Sequence, residues 1–114
     1  ESGIDAGGSS QLILHGTRVT RSRQSGVYLH DDAGATIDQN AVISDNGLNG
    51  VLVAAGARLE MTGAQVRQNQ QAGIIVESGG MARLRDVDLT GNVEEGLIED
   101  PGSRVTKEGQ VRTR

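Results

Sequence analysis

The chain has 114 residues, among them 17 Gly, one Pro, one Tyr and no Phe, Trp or Cys, and its formal charge is −4 from 11 basic and 15 acidic side chains. This excludes a core built on aromatic bulk, disulfides and thiolate metal sites. It also speaks against the dense basic footprint that nucleic acid binding needs, and there is no apolar run of about 18 residues to span a membrane. Buried area has to come from Val, Ile, Leu and Ala, which suits thin stacked layers within one domain or less.

The first element is a short strand opened by Gly3, with Ile4 and Ala6 on one face. Leu12 and Leu14 mark a second strand and Val19 a third, after which the pattern restarts. Gly26 opens the next unit with Val27 and Leu29, then Ala35 and Ile37, then Val42; Ile43 takes that last place if the unit's one extra residue falls soon after Ile37. Gly50 leads Val51 and Val53, then Leu59 and Met61, then Val66. Gly73 leads Ile74 and Val76, then Ala82 and Leu84, then Leu89. Gly96 leads Leu97, but Glu99, Lys107 and Arg112 then stand at sites that are apolar in the earlier units, with Val105 between them. From Gly3 to Gly26, Gly50, Gly73 and Gly96 the steps are 23, 24, 23 and 23 residues.

Within each unit the apolar sites alternate with period two, the mark of a strand. The three strands carry two, two and about one inward residue. Turns such as Asp31-Asp32-Ala33-Gly34 and Ser78-Gly79-Gly80 separate them. A strand of three or four residues cannot bury a face alone, but equivalent strands stacked about 4.8 Å apart make parallel sheets around a continuous aliphatic column. Parallel crossovers are right-handed. The expected fold is therefore all-β, a right-handed parallel β-helix of about five coils of 23–24 residues. It fills residues 1–114 as a single segment, with residues 97–114 as an irregular terminal coil. Fading of the aliphatic stack at Glu99 and Lys107 suggests a polar capping coil, and the open first coil suggests a longer solenoid or a partner there.

Four residues before each later anchor glycine stand Ser22, Asn46, Asn69 and Asn92. Asn at one turn position of every coil can stack its amides into a ladder that satisfies buried backbone groups. That ladder of Asn46, Asn69 and Asn92 is the expected arrangement, and the plainer alternative is that Asn merely tolerates turn dihedrals.

The pattern Asn-x-x-x-Gly-[Val/Ile/Leu]-x-[Val/Leu] at this spacing, from Gly3 to about Val111, resembles the parallel β-helix repeat of the pectin-lyase-like superfamily. The resemblance implies a fold more than a function, since that superfamily holds polysaccharide lyases, hydrolases, epimerases, tailspikes, autotransporter passengers and non-catalytic scaffolds. It implies that the strand of Leu14, Ile37, Met61 and Leu84 belongs to the sheet where such enzymes hold substrate. It also implies an exported, surface or periplasmic protein.

The outward residues of that sheet are Ile13, Thr36, Glu60, Arg83 and Thr106, with His15, Asp38, Thr62, Arg85 and Glu108 at the strand exits. Asp38, Glu60, Arg83 and Arg85 form the one constellation worth naming as a candidate catalytic site, where a lyase or C5-epimerase would need a base beside a carboxylate cluster. Calcium enters only with that enzyme reading, and a calcium site needs more converging carboxylates than these two. Otherwise no cofactor or metal is implied. A solvated, salt-bridged face is the competing explanation. Tyr28-Leu29-His30-Asp31-Asp32 has only a chance likeness to the Asp-Pro-His motif of alginate epimerases, and His15 and His30 sit on different strands.

Between the inward sites of the Gly-led strands lie Tyr28, Leu52, Ile75 and Ile98, an outward apolar stripe of roughly 15 Å. A stripe of this kind is usually covered by something. The remainder of a longer β-helix or another protein is expected there, and a polysaccharide is a weaker candidate because only Tyr28 is aromatic. The leading functional expectation is a non-catalytic β-helix module of a larger exported or surface protein, acting as scaffold or as a carbohydrate- or partner-binding surface. The alternative is a fragment of a polysaccharide lyase or C5-epimerase acting on uronate polymers.

Overall fold

A computed structural model describes residues 2–113; Glu1 and Arg114, the two ends of the expected segment, lie outside the described residues. The first coil is β1 (Ile4–Ala6), β2 (Gln11–His15) and β3 (Arg18–Thr20), and the second is β4 (Val27–Leu29), β5 (Gly34–Asp38) and β6 (Val42–Ser44). The third is β7 (Val51–Val53), β8 (Arg58–Thr62) and β9 (Gln65–Arg67). In the fourth, β10 (Ile74–Val76) precedes β11 (Met81–Asp88), and in the fifth β12 (Leu97–Glu99) precedes β13 (Arg104–Arg112). In these last two coils the second and third strands run on as one bent strand.

The Gly-led strands form a five-stranded parallel sheet in the order β1-β4-β7-β10-β12. Its register places Ile4 beside Val27, Val27 beside Val51, Val51 beside Ile74 and Ile74 beside Leu97. The remaining strands make the other two walls, which are hydrogen-bonded through the long β11 into one folded sheet. Inside, Val27, Val51 and Ile74 have no solvent exposure, nor have Ile37, Leu84, Ile43, Val66 and Leu89. Residues one repeat apart thus share a dry aliphatic column, and its burial supplies the driving force that no single three-residue strand could.

Two details differ from the sequence expectation, in the third strand and in the fifth coil, and the placement of Ile43 follows it. The third strand carries two inward residues rather than one, because Ala41, Ala64 and Val87 are buried two places ahead of Ile43, Val66 and Leu89. In the second coil Ile43, not Val42, pairs with Val19 and Val66. The extra residue sits at the corner before it, where Gln39 and Asn40 both take left-handed φ of 58° and 64°, while the other coils turn that corner on one residue such as Gly16, Gly63 or Asp86. In the fifth coil Arg112 pairs with Asp88 instead of Leu89, because a bulge lets Arg85 face Glu108 and Val87 face Val111. Half-buried Val111 therefore continues the core.

At the end of the column the apolar layer gives way to an ion pair, Lys107 Nζ to Glu99 Oε2 at 2.9 Å, with both side chains partly in solvent. Gly at the head of each strand has a steric cause. A Cβ at Gly50 would lie 2.7 Å from the carbonyl oxygen of Gly73 and 2.9 Å from Nδ2 of Asn69. Coil spacing and the asparagine turn together leave room only for hydrogen there.

Candidate functional site

The face carried by β2, β5, β8, β11 and β13 is flat, and its outward residues pair in register: Ile13 with Thr36, Thr36 with Glu60, Glu60 with Arg83, and Arg83 with Thr106. A shallow depression is lined by Glu60, Thr62, Arg83, Arg85 and Glu108. It holds three of the four candidate residues. The fourth, Asp38, is outside it; its carboxylate bonds to Nδ1 of His15 on the neighbouring strand. The arginines are also engaged, Arg83 with Glu108 at 3.6 Å and Arg85 with Asp86 at 4.0 Å. Glu60, Arg83 and Arg85 are exposed. Exposed ion pairs at these distances contribute little energy, and only Arg83–Glu108 of the two spans neighbouring coils.

These residues do not fit calcium. Glu60 and Glu108 are the carboxylates of the depression, and Arg83 stands against the second of them. Among the described residues no three His, Asp or Glu side chains converge in a way that would hold a metal ion.

The asparagine turns form a hydrogen-bonded column. Asn46 Nδ2 donates to Asn69 Oδ1 at 2.9 Å, and Asn69 Nδ2 donates to Asn92 Oδ1 at 2.9 Å. Each Oδ1 also accepts a backbone N–H from the coil before: Ser22 to Asn46, Asn46 to Asn69 and Asn69 to Asn92, at 3.0–3.1 Å. Asn46 and Asn69 are fully buried. At the last rung Asn92 Nδ2 turns to the carbonyls of Val66 and Leu89.

On the outside of the five-stranded sheet Tyr28, Leu52, Ile75 and Ile98 stand side by side and are half-buried, and Asp5 takes their place in the first coil. Tyr28 differs from the other three because the His30 ring stacks on it, centroids 4.7 Å apart. His30 Nε2 lies 2.5 Å from Asp5 Oδ1, and Nδ1 lies 3.2 Å from Asp31 Oδ2. The hydrogen bond to Asp5 raises the His30 pKa above its ordinary value; partial burial opposes this, and the charges of Asp5 and Asp31 reinforce it. The Asp5–His30 pair ties the first coil to the second. Sequence reading missed it because the two residues are 25 positions apart, off the repeat by two.

A second perturbed group, Asp88, accepts from the Thr90 hydroxyl at 2.6 Å and the Thr90 amide at 2.9 Å. The Thr90 hydroxyl hydrogen bond lowers its pKa most, with Arg67 and Arg112 adding to the effect. This is a turn device at the end of β11 that shapes the corner.

Parallel strands stacked in register around an aliphatic column define a β-solenoid. The chain belongs to the right-handed β-helix family, whose described region matches residues 2–109. No curated protein and no solved structure matches it significantly. Among the described residues no helix is long and apolar enough to cross a membrane.

Proposed function

We propose that this chain is a non-catalytic β-helix module, a rigid scaffold that presents columns of side chains to a binding partner. One observation carries the reading: among the described residues, three of the four charged groups of the candidate catalytic face, all but Glu60, are already paired. Asp38 is held by His15, Arg83 by Glu108 and Arg85 by Asp86. Short turns connect the strands, so the depression has walls no higher than its own side chains. A general base is helped by a site that excludes water, and this face leaves Glu60, Arg83 and Arg85 exposed.

Two measurements test the reading. Incubation with polygalacturonate and alginate should give no unsaturated or epimerised product above a protein-free blank. Product made by the parent and lost in R83A/R85A would instead establish the lyase or epimerase alternative. Deleting residues 51–73, one complete coil, should place Val27 beside Ile74 and leave a shorter solenoid with a cooperative transition. Loss of all folded structure would show that the coils are not interchangeable scaffold units.

A further inference from the structure

The outer face of the five-stranded sheet carries two parallel columns. One is Tyr28, Leu52, Ile75 and Ile98; the other, just past the end of each strand, is His30, Ala54, Glu77 and Asp100. The second column is aligned by equivalent backbone bonds, His30 N–H to Ala6, Ala54 N–H to Leu29, Glu77 N–H to Val53 and Asp100 N–H to Val76, at 2.8–3.0 Å. Ile75 and Ile98 therefore lie next to Glu77 and Asp100. Neither of these carboxylates pairs with a cation among the described residues. Glu94 and Glu95 add two more at the entry to β12.

Charge is segregated over the whole solenoid. The wall made by residues 2–10, 24–33, 48–57, 71–80 and 94–103 contains eight of the 15 acidic residues and none of the 11 Lys and Arg. Among the described residues the Lys and Arg lie on the other two walls and their turns. A half-buried apolar row flanked by unpaired carboxylates is poorly suited to face its own copy, because the acidic columns of two such sheets would meet. It is complementary to an apolar row flanked by cations.

We propose that this sheet face docks a cationic polypeptide segment, one that presents aliphatic side chains beside Lys or Arg. The proposal rests on the scaffold reading above and names the partner's chemistry. Leu52, Ile75 and Ile98 supply the apolar contact, and Glu77 and Asp100 set its orientation and speed its encounter. Tyr28 is already covered by the His30 ring, so the contact is centred on the third to fifth coils.

The test is titration of the full chain with a short blocked peptide alternating leucine and lysine, read by calorimetry. Comparison peptides replace leucine by serine or lysine by glutamate. The leucine–lysine peptide should bind, and L52S/I75S should weaken it at least about tenfold through lost apolar contact. E77Q/D100N should weaken it about threefold and flatten its salt dependence. The second variant leaves the apolar row intact and keeps the test decisive if the first fails to fold. Absence of binding to the parent, equal binding by both variants, or equal binding of the lysine–serine peptide would overturn the proposal. So would a parent dimer in light scattering that L52S/I75S returns to monomer, since the occupant would then be a second copy. Each of these failures leaves the non-catalytic reading standing, whereas uronate product formation would remove that reading whatever the peptide does.

Discussion

Asn69 sits 23 residues before Asn92, yet its side-chain amide donates to Asn92 Oδ1 at 2.9 Å while its own Oδ1 accepts from Asn46. A residue that is donor and acceptor at once, buried and repeated at coil spacing, turns local corners into one column along the axis.

Breaking the middle rung should be costly. Asn69→Ala leaves the buried Asn46 backbone N–H without an acceptor and the Asn46 amide with only the Val19 carbonyl at 3.4 Å, an expected loss of about 2–3 kcal/mol. Asn69→Asp keeps the acceptor but cannot donate to Asn92 once ionised, and burial disfavours its charged form. Its stability should fall as pH rises through the carboxylate range and recover in acid. Denaturant unfolding at two pH values checks both variants, and an Asn69→Ala loss well under 1 kcal/mol would show that the column adds nothing.

The anchor glycine should resist even a methyl group. Gly50→Ala would press a Cβ against the Gly73 carbonyl and the Asn69 amide, and the expected cost is about 1–3 kcal/mol. Gly63 turns an open corner with φ of 62° and nothing within 4 Å of a Cβ. Gly63→Ala there should cost about 1 kcal/mol, by left-handed strain alone. Thermal unfolding separates the two.

Ile74 and Ile75 are neighbours in sequence with opposite environments. Ile74 is fully buried in the column, so Ile74→Ala should cost about 2–5 kcal/mol. Ile75 faces out, and Ile75→Ala should cost about 1 kcal/mol or less. Equal losses would contradict the assigned register.

The Asp5–His30 pair makes attachment of the first coil pH-dependent. The folded-state pKa of His30 lies above its unfolded value of about 6.5, so the stabilisation is fully present below that value. It is lost as pH rises through the folded-state pKa. Hydrogen-exchange protection of the His30 amide, bonded to the Ala6 carbonyl at 3.0 Å, should decline over that interval. The decline should be absent in His30→Gln, and a parent no different from that variant would refute the role given to the pair.

The fold was legible because a solenoid writes its contacts at a fixed interval. Gly26, Gly50 and Gly73, each followed by alternating aliphatics, place residues above one another without knowledge of any long-range contact. Ala41 and Ala64 escaped notice as inward sites, since a small residue after a turn carries weak hydrophobic signal. The signal for Glu77 and Asp100 as a column was present in the repeat, two places beyond Ile75 and Ile98.

By itself the sequence determined the coil length, the three-walled aliphatic column and the place of each asparagine, because all of these recur with one period. Only the tertiary structure decided how charges pair, for a side chain's partner depends on corner geometry and reach. Asp38 turns to His15, Arg112 slips beside Asp88 behind a bulge, and His30 reaches Asp5 across a coil boundary. Backbone stacking repeats from coil to coil, while the ends of long polar side chains answer to whatever lies within a few ångströms.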